Sequence, residues 1–462
     1  MKLRLRFKFL LFLGCLLLVG ASVFAAGQKE HSKSQTAGSA DHTVSVWLWG
    51  ANTTKIGPFT RLIIDPFNAS QSTYTAKATL IQHGDQEMRL ALSAGKGPDV
   101  IFTPGPSFLI PYAKKGLVIP LDGYAKEYNW DKLFVPSMLD LQVYHGKLYG
   151  LPDEYESMFL YYNKTVFEQH GWTPPRTLAQ FEQIAGAAKS DGIAPLAGGG
   201  ATWKPTDEWY VTVFLNHYAG ARNVYDALTG KLPWNSPVFV NAIKLLNDWW
   251  QKGWFSKDYY ALSTNQAVND LATGKAAMEL TGSWGVSEMG AYFGKSKQEW
   301  DWVPIPALSS HASYPLYELG IGGTNSISKF SKDPDGAAAY LNYIYQPSNF
   351  LRWTAAEPGT GFLFPPEKIT TSDLQSVASK LDPRFIRQTK EVGDAIAQGA
   401  FGYTTWTFWP DRTEQYIINE VEKVWANELS PQQFMDGVEK QFKADMRDGR
   451  VPPITAPGVG SN

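Results

Sequence analysis

Two carboxylates two positions apart, Glu154 and Glu156, lie in Asp153-Glu-Tyr-Glu156 between apolar runs. Alternate residues of an extended chain share a face, so both can reach one ligand. Paired carboxylates of this kind are the apparatus of glycoside hydrolysis. The competing reading is two polar groups where the chain crosses between two halves of a fold. No other catalytic set accompanies them. The histidines, at 31, 42, 83, 145, 170, 217 and 311, include no pair four apart that could offer a metal from one helix face. In Thr281-Gly-Ser-Trp-Gly285 the serine is one place off the spacing of a nucleophile elbow. Lys332-Asp-Pro-Asp-Gly336 lacks the later acidic ligands of a calcium loop and reads as a helix start. Gly274-Lys275 is followed by alanine and has no upstream glycine for a phosphate loop, and Gly320-Ile-Gly-Gly323 is too short for a dinucleotide fingerprint. The expectation is no enzymatic activity, no metal and no cofactor.

Aromatic side chains are in excess. Among the 17 tryptophans, Trp49, Trp203, Trp284, Trp406 and Trp409 fall in segments rich in Gly, Thr and Pro rather than in periodic ones. Loops are where binding residues concentrate. A sugar ring offers C–H groups to an aromatic face and hydroxyls to acceptors at its edge, so Trp beside Asp, Glu or Gln suits it. These five, with Glu154, Glu156 and Gly322 of the glycine cluster, are candidate ligand contacts. Trp249, Trp250 and Trp425 fall in helical patterns and read as packing.

The elements that must position these residues alternate. Thr43–Trp49 reads as a strand, Phe59–Phe67 as a helix, 74–81 as a strand, 85–94 as a helix, 99–102 as a short buried strand and 106–115 as a helix. Such alternation predicts a mainly parallel sheet with helices on both faces. The runs Leu148–Pro152 and Met158–Tyr162 flank the acidic pair and suggest a passage from one lobe to another. Thr177 with Gln180, and Ser430-Pro-Gln-Gln433, carry the spacing of capping boxes. Helical stretches are expected at 207–218, 237–250 and 266–273, a strand at 276–280, and a return to the first lobe at 302–306 and Gly320–Gly323.

The chain of 462 residues is too long for one compact core, and its 44% apolar and 19% charged composition suits a globular protein throughout. Its net charge of −2 becomes more acidic once Lys2, Arg4, Arg6 and Lys8 are set aside, which argues against a nucleic-acid partner. Those basic residues precede an apolar run, Phe9–Val19, and Val23-Phe-Ala25 ends in small-residue cleavage spacing. Together they predict a signal peptide over 1–25 and an exported protein. Cys15, the one cysteine, after Leu13-Gly14, offers the alternative of a lipid anchor. Residues 26–42 read as a flexible tether.

Four segments, taken in order, resemble the extracellular solute-binding proteins of carbohydrate ABC importers, the group that includes maltose-binding proteins. They are Ala91–Val100; Leu148–Pro152 leading to Leu160-Tyr-Tyr-Asn-Lys164 and Pro174-Pro-Arg-Thr177; Gly274–Met278 leading to Gly282-Ser-Trp284; and the helix after Leu429-Ser-Pro431. The resemblance implies an α/β fold of two lobes, 43–152 with about 304–350 and 153–303 with about 351–455, joined by hinge crossings around an interlobe ligand cleft. It implies capture of a mono- or oligosaccharide, delivery to membrane permease subunits, and a monomer in the periplasm or cell envelope. By position, Trp284 matches a stacking aromatic and Glu156 an acidic hydroxyl acceptor at the crossing. Gln82, with His83 and Asp85, lies at another hydroxyl-binding place, and Asp207 and Trp209 where a second-lobe helix offers an acid and an aromatic. After Phe102 the chain has Thr-Pro-Gly-Pro106 in place of an aromatic and charges, so maltodextrin specificity does not transfer. Other readings are a binder of a different small solute on the same fold, a sugar-sensing module, and, last, a glycosidase.

Overall fold

The computed structural model describes residues 42–49, 56–81, 84–134, 136–202, 204–356 and 371–458. Its strands in chain order are β1 (Thr43–Trp49), β2 (Thr75–Ile81), β3 (Val100–Thr103), β4 (Val143–Tyr144), β5 (Lys147–Leu148), β6 (Leu151–Glu156), β7 (Met158–Asn163), β8 (Ala194–Ala197), β9 (Ala276–Gly282), β10 (Trp300–Val303), β11 (Tyr317–Ile327) and β12 (Phe401–Tyr403). One sheet runs β12-β11-β3-β1-β2, with β6 also paired to β11, and a second runs β10-β7-β9-β8.

The first sheet is sandwiched because its strands alternate apolar residues that bury on both sides. Val44, Val46 and Val100 face a core closed by Ile63, Ile64, Tyr340 and Leu341. Ile101, next to Val100, points the other way and packs with Ile81, Met88, Leu92, Leu109 and Tyr112. The Pro98-Asp99 motif has a structural task here. Asp99 accepts from Ser45 N (2.8 Å) and Oγ (2.6 Å), Ser331 Oγ (2.7 Å) and Lys332 N (3.0 Å). Burial raises its pKa, but these bonds outweigh burial and hold the carboxyl below its ordinary value. Asp99 thus pins β1 to the loop after β11. Asp333, in that loop, caps the helix Pro334–Ile344 by accepting from Gly336 N.

The second sheet centres on β7, every residue of which is buried between β9 and β10. Its core is aromatic: Phe181 stacks on Trp249 (4.2 Å, 6°) and Trp250 on Trp425 (3.9 Å, 6°). The last helix, Pro431–Arg447, begins with the full capping box of Ser430 and Gln433. The box expected at Thr177 is half formed: Thr177 accepts from Gln180 N, whereas the Gln180 side chain accepts from Arg176 N rather than from the cap residue.

The expectation of a mainly parallel sheet holds for the first sheet, where three of five pairings are parallel, β12 with β11 included, and fails for the second, where one of three, β8 with β9, is parallel. β1 pairs in parallel with β2 and β3, but β11 is antiparallel to β3 and β6, and β7 is antiparallel to β9 and β10. The strands that reverse are those leading into and out of the passages between sheets. A chain returning from the other sheet re-enters from the opposite end, and hydropathy periodicity carries no record of that direction. The tightest passage is one residue, Ser157, between β6 and β7. Behind it, His217 Nε2 lies 2.8 Å from Glu318 Oε1, both fully buried, tying the helix Val211–Ala219 to β11.

Candidate ligand site

Glu156 is the last residue of β6 and is 8% exposed. Its carboxylate lies on Gly322 of β11, where a Cβ would overlap the carboxylate carbon. The glycine is required for this approach, since any side chain would fill the place the acid takes. The pairing of β11 with β6 shifts register on either side of Gly323, so the two strands splay at this point. Trp406 closes the same corner. It sits in the short helical turn Thr405–Phe408, 4% exposed, with its ring 3.3 Å from where a Cβ on Gly320 would be. That turn is fixed to β11 by Ile321 N donating to Thr407 Oγ1 (2.7 Å) and by Thr404 Oγ1 donating to Leu319 O (3.2 Å).

A second edge comes from the wide, π-type turn Thr206–Tyr210, which precedes the helix Val211–Ala219. Wide turns of this kind re-aim side chains and recur at functional sites. Here the turn carries Glu208, 4% exposed, and Trp209, half-buried. The Trp209 ring lies 5.0 Å from that of Trp284 at 50°, an aromatic corner with one ring from each of two distant segments. Trp284 follows β9 and folds over Gly282, where a Cβ would overlap its ring. Between the aromatic corner and Glu156, Ser283 N donates to Ser157 O (2.9 Å). Both serine hydroxyls are buried and have no hydrogen-bond partner among the described residues.

The electrostatics are one-sided. Burial raises the Glu156 pKa, the negative charge of Glu208 raises it further, and the Trp406 indole partly offsets this. Burial likewise raises Glu208, with a hydrogen bond from Glu414 working against it. Glu414, in the first turn of the helix Asp411–Trp425, is 1% exposed. The negative charge acting on Glu156 is that of Glu208, far from it in sequence. Glu154 lies opposite Gly323 in the strand register, half-buried.

Of the sequence candidates, the structure brings Glu156, Gly322, Trp406, Trp209 and Trp284 to this corner. Trp409 does not join them. It is fully buried, packed on Trp234 at 4.8 Å, and its backbone carbonyl accepts from Ser107 Oγ (2.5 Å). Its place among Pro and Thr concealed a core residue. Gln82, His83 and Trp203 lie outside the described residues, as do the side chains of Trp49, Asp85 and Asp207. Glu208 and Glu414 were missed. Glu208 stands between Asp207 and Trp209, both singled out, so the signal was one residue away; Glu414 reads in sequence as an exposed acid at a helix start.

The family model described as bacterial extracellular solute-binding protein matches residues 50–349. The chain is 24% identical over 304 residues to the alpha-glucosides-binding periplasmic protein AglE of Rhizobium meliloti, covering 61% of this chain and 63% of that protein. It is 23% identical over 416 residues to the sn-glycerol-3-phosphate-binding periplasmic protein UgpB of Yersinia enterocolitica, covering 84% of this chain and 89% of the other. Among solved structures, a chitin oligosaccharide binding protein superposes with a TM-score of 0.73 at 19% identity, over 88% of this chain and all of the other. That likeness establishes the fold.

Proposed function

Because the chain belongs to the bacterial extracellular solute-binding proteins, we propose that it captures a saccharide between its two sheets and delivers it to the permease of an ATP-driven importer. The observation that carries this reading is the corner built by Trp209, Trp284, Glu156, Ser157 and Ser283. It offers two half-buried ring faces beside a carboxylate and two hydroxyls that have no hydrogen-bond partner among the described residues. Sugar C–H faces and hydroxyl edges need that combination. The alpha-glucosides-binding protein AglE and the chitin oligosaccharide binding protein, to which the chain is similar, are consistent with it.

On this reading the lobes are 43–152 with about 304–350 and 153–303 with about 351–455, although β6 and β12 of the second range pair with β11 in the first sheet. Ser157 and the segment between β10 and β11 are hinge crossings. Ligand touching both lobes favours the closed state, and the permease responds to that shift in population. No bond is made or broken. Gln82, His83, Asp85, Trp49, Trp203 and Asp207 are assigned to the same cleft by position in sequence. The leader over 1–25 directs export, with Cys15 as the alternative point of attachment, and the mature protein is a monomer.

A thermal-shift screen of the mature protein against mono- and oligosaccharides tests the reading, since a ligand selective for the folded state raises Tm by mass action. The expected result is a dose-dependent rise with one saccharide class that is lost in Trp284→Ala. A response to amino acids or peptides with none to any saccharide would overturn it.

A further inference from the structure

The turn that carries Trp406 is gripped by a helix distant from it in sequence. Thr212 and Asn216, four apart and so on one face of the helix Val211–Ala219, are both fully buried. Thr212 Oγ1 accepts from Thr405 N (3.0 Å). Asn216 takes Tyr403, the last residue of β12, by both backbone groups: its Oδ1 accepts from Tyr403 N (2.9 Å) and its Nδ2 donates to Tyr403 O (2.8 Å). The same Nδ2 donates to Thr212 O (2.8 Å), which fixes the amide and links the two residues.

Two further sides of the turn are closed. Thr404 and Thr407 bind it to β11. On the remaining side Gly105, whose φ is +94°, comes so near that a Cβ there would stand 2.6 Å from Ile321 O and 3.1 Å from Trp406 O. Only glycine allows both that conformation and that approach. The loop Thr-Pro-Gly-Pro106 thus leaves the turn no room to shift.

Buried polar groups are costly unless matched, and directional bonds tolerate little displacement. The helix therefore sets where the turn lies more closely than apolar packing would. Its first end belongs to the site as well, because Trp209 stands three residues before Thr212 on the wide turn that opens the helix. One helix accordingly carries Trp209, whose ring meets Trp284, and holds in place Trp406, whose indole acts on the Glu156 carboxyl.

Resting on the saccharide reading above, we propose that Thr212 and Asn216 are positioning residues of the ligand site, holding the Trp406 turn at a set distance from Trp209 so that both aromatic sides of the corner are in place before the ligand arrives. Neither side chain touches the ligand. Their effect on affinity passes through Trp406, since a site ordered beforehand spares the ligand the cost of ordering it.

The test is titration calorimetry of the mature protein with the saccharide that most raises its Tm. Four variants are compared with the parent: Thr212→Val, Thr212→Ser, Trp406→Ala and the double variant Thr212→Val/Trp406→Ala, each with an unliganded melt to show that it is folded. Valine keeps the shape of threonine and loses the hydroxyl, whereas serine keeps the hydroxyl. Thr212→Val should weaken binding about three- to tenfold, the range that one displaced aromatic contact accounts for. Thr212→Ser should bind as the parent does. In the Trp406→Ala background Thr212→Val should change the affinity no further, an outcome that a general loss of stability would not produce. Asn216→Ser, which gives up the two-point grip on Tyr403, takes the place of Thr212→Val should that variant not fold. Parent-like binding by Thr212→Val, an equal loss in both backgrounds, or a Trp406→Ala variant that binds as the parent does each overturns the inference and leaves the saccharide reading standing. A parent protein that binds no saccharide overturns both.

Discussion

Gly322→Ala is the sharpest perturbation of the site, because the change is one methyl group and the backbone there needs no left-handed conformation. The added Cβ would overlap the carboxylate of Glu156, which is the far end of a flexible side chain. The carboxylate must therefore retreat by about 1 Å or more to reach ordinary contact distance. A hydroxyl-to-carboxylate bond lengthened by that much is no longer a hydrogen bond. Losing one such bond to a charged acceptor removes about 1.5–3 kcal/mol, or roughly 10- to 150-fold in affinity. Stability should change little, because the atoms in the way are the far end of one flexible side chain. Calorimetry with the ligand identified by the screen, alongside thermal melts of the unliganded protein, separates the two effects. A variant that binds as tightly as the parent would refute the assignment of Glu156 to the ligand. One that fails to fold would refute the claim that only a movable side chain stands in the way.

The raised Glu156 pKa has a consequence for the empty protein. A carboxyl held above its ordinary value stabilises the fold fully at acid pH, and that contribution is lost as pH rises through the folded value. Glu156→Gln should therefore raise Tm relative to the parent at neutral and mildly alkaline pH and leave it unchanged near the ordinary carboxylate range, as melts across that window will read; a constant offset would contradict the burial argument. His217→Ala removes the fully buried ring 2.8 Å from Glu318 Oε1, leaving a cavity and a buried acceptor beside it, and should cost about 2–5 kcal/mol by denaturant titration. A midpoint unchanged from the parent would show that the pair holds nothing together.

Local signals were the legible part of the fold. Ser430 with Gln433 and Asp333 before Pro334 are short-range devices, and both caps formed where their spacing put them. Trp249, Trp250 and Trp425 fell on helical periods and are core. Strand direction was not legible: the apolar run of β7 reads the same whichever way it pairs, and it pairs antiparallel to β9. The site was half legible for a related reason. Glu156 and Trp284 stand next to segments with marked spacing, whereas Glu208 is aimed by a wide turn and Glu414 is buried in the first turn of its helix by tertiary packing that helical periodicity does not encode. Trp409 shows the reverse error, since a residue among Pro and Thr can still point inward when its backbone is held, here by Ser107.

The central claim is that a saccharide lies between the two sheets at the corner of Trp209, Trp284 and Glu156. A crystal structure of the protein with the sugar that most raises its Tm tests this most directly. The account predicts a ring against the Trp209 and Trp284 faces with a polar group within hydrogen-bond distance of Glu156. A sugar seated elsewhere would contradict it, for instance in the separate cavity of about 260 Å³ lined by Pro106, Tyr144, Trp409 and Arg450.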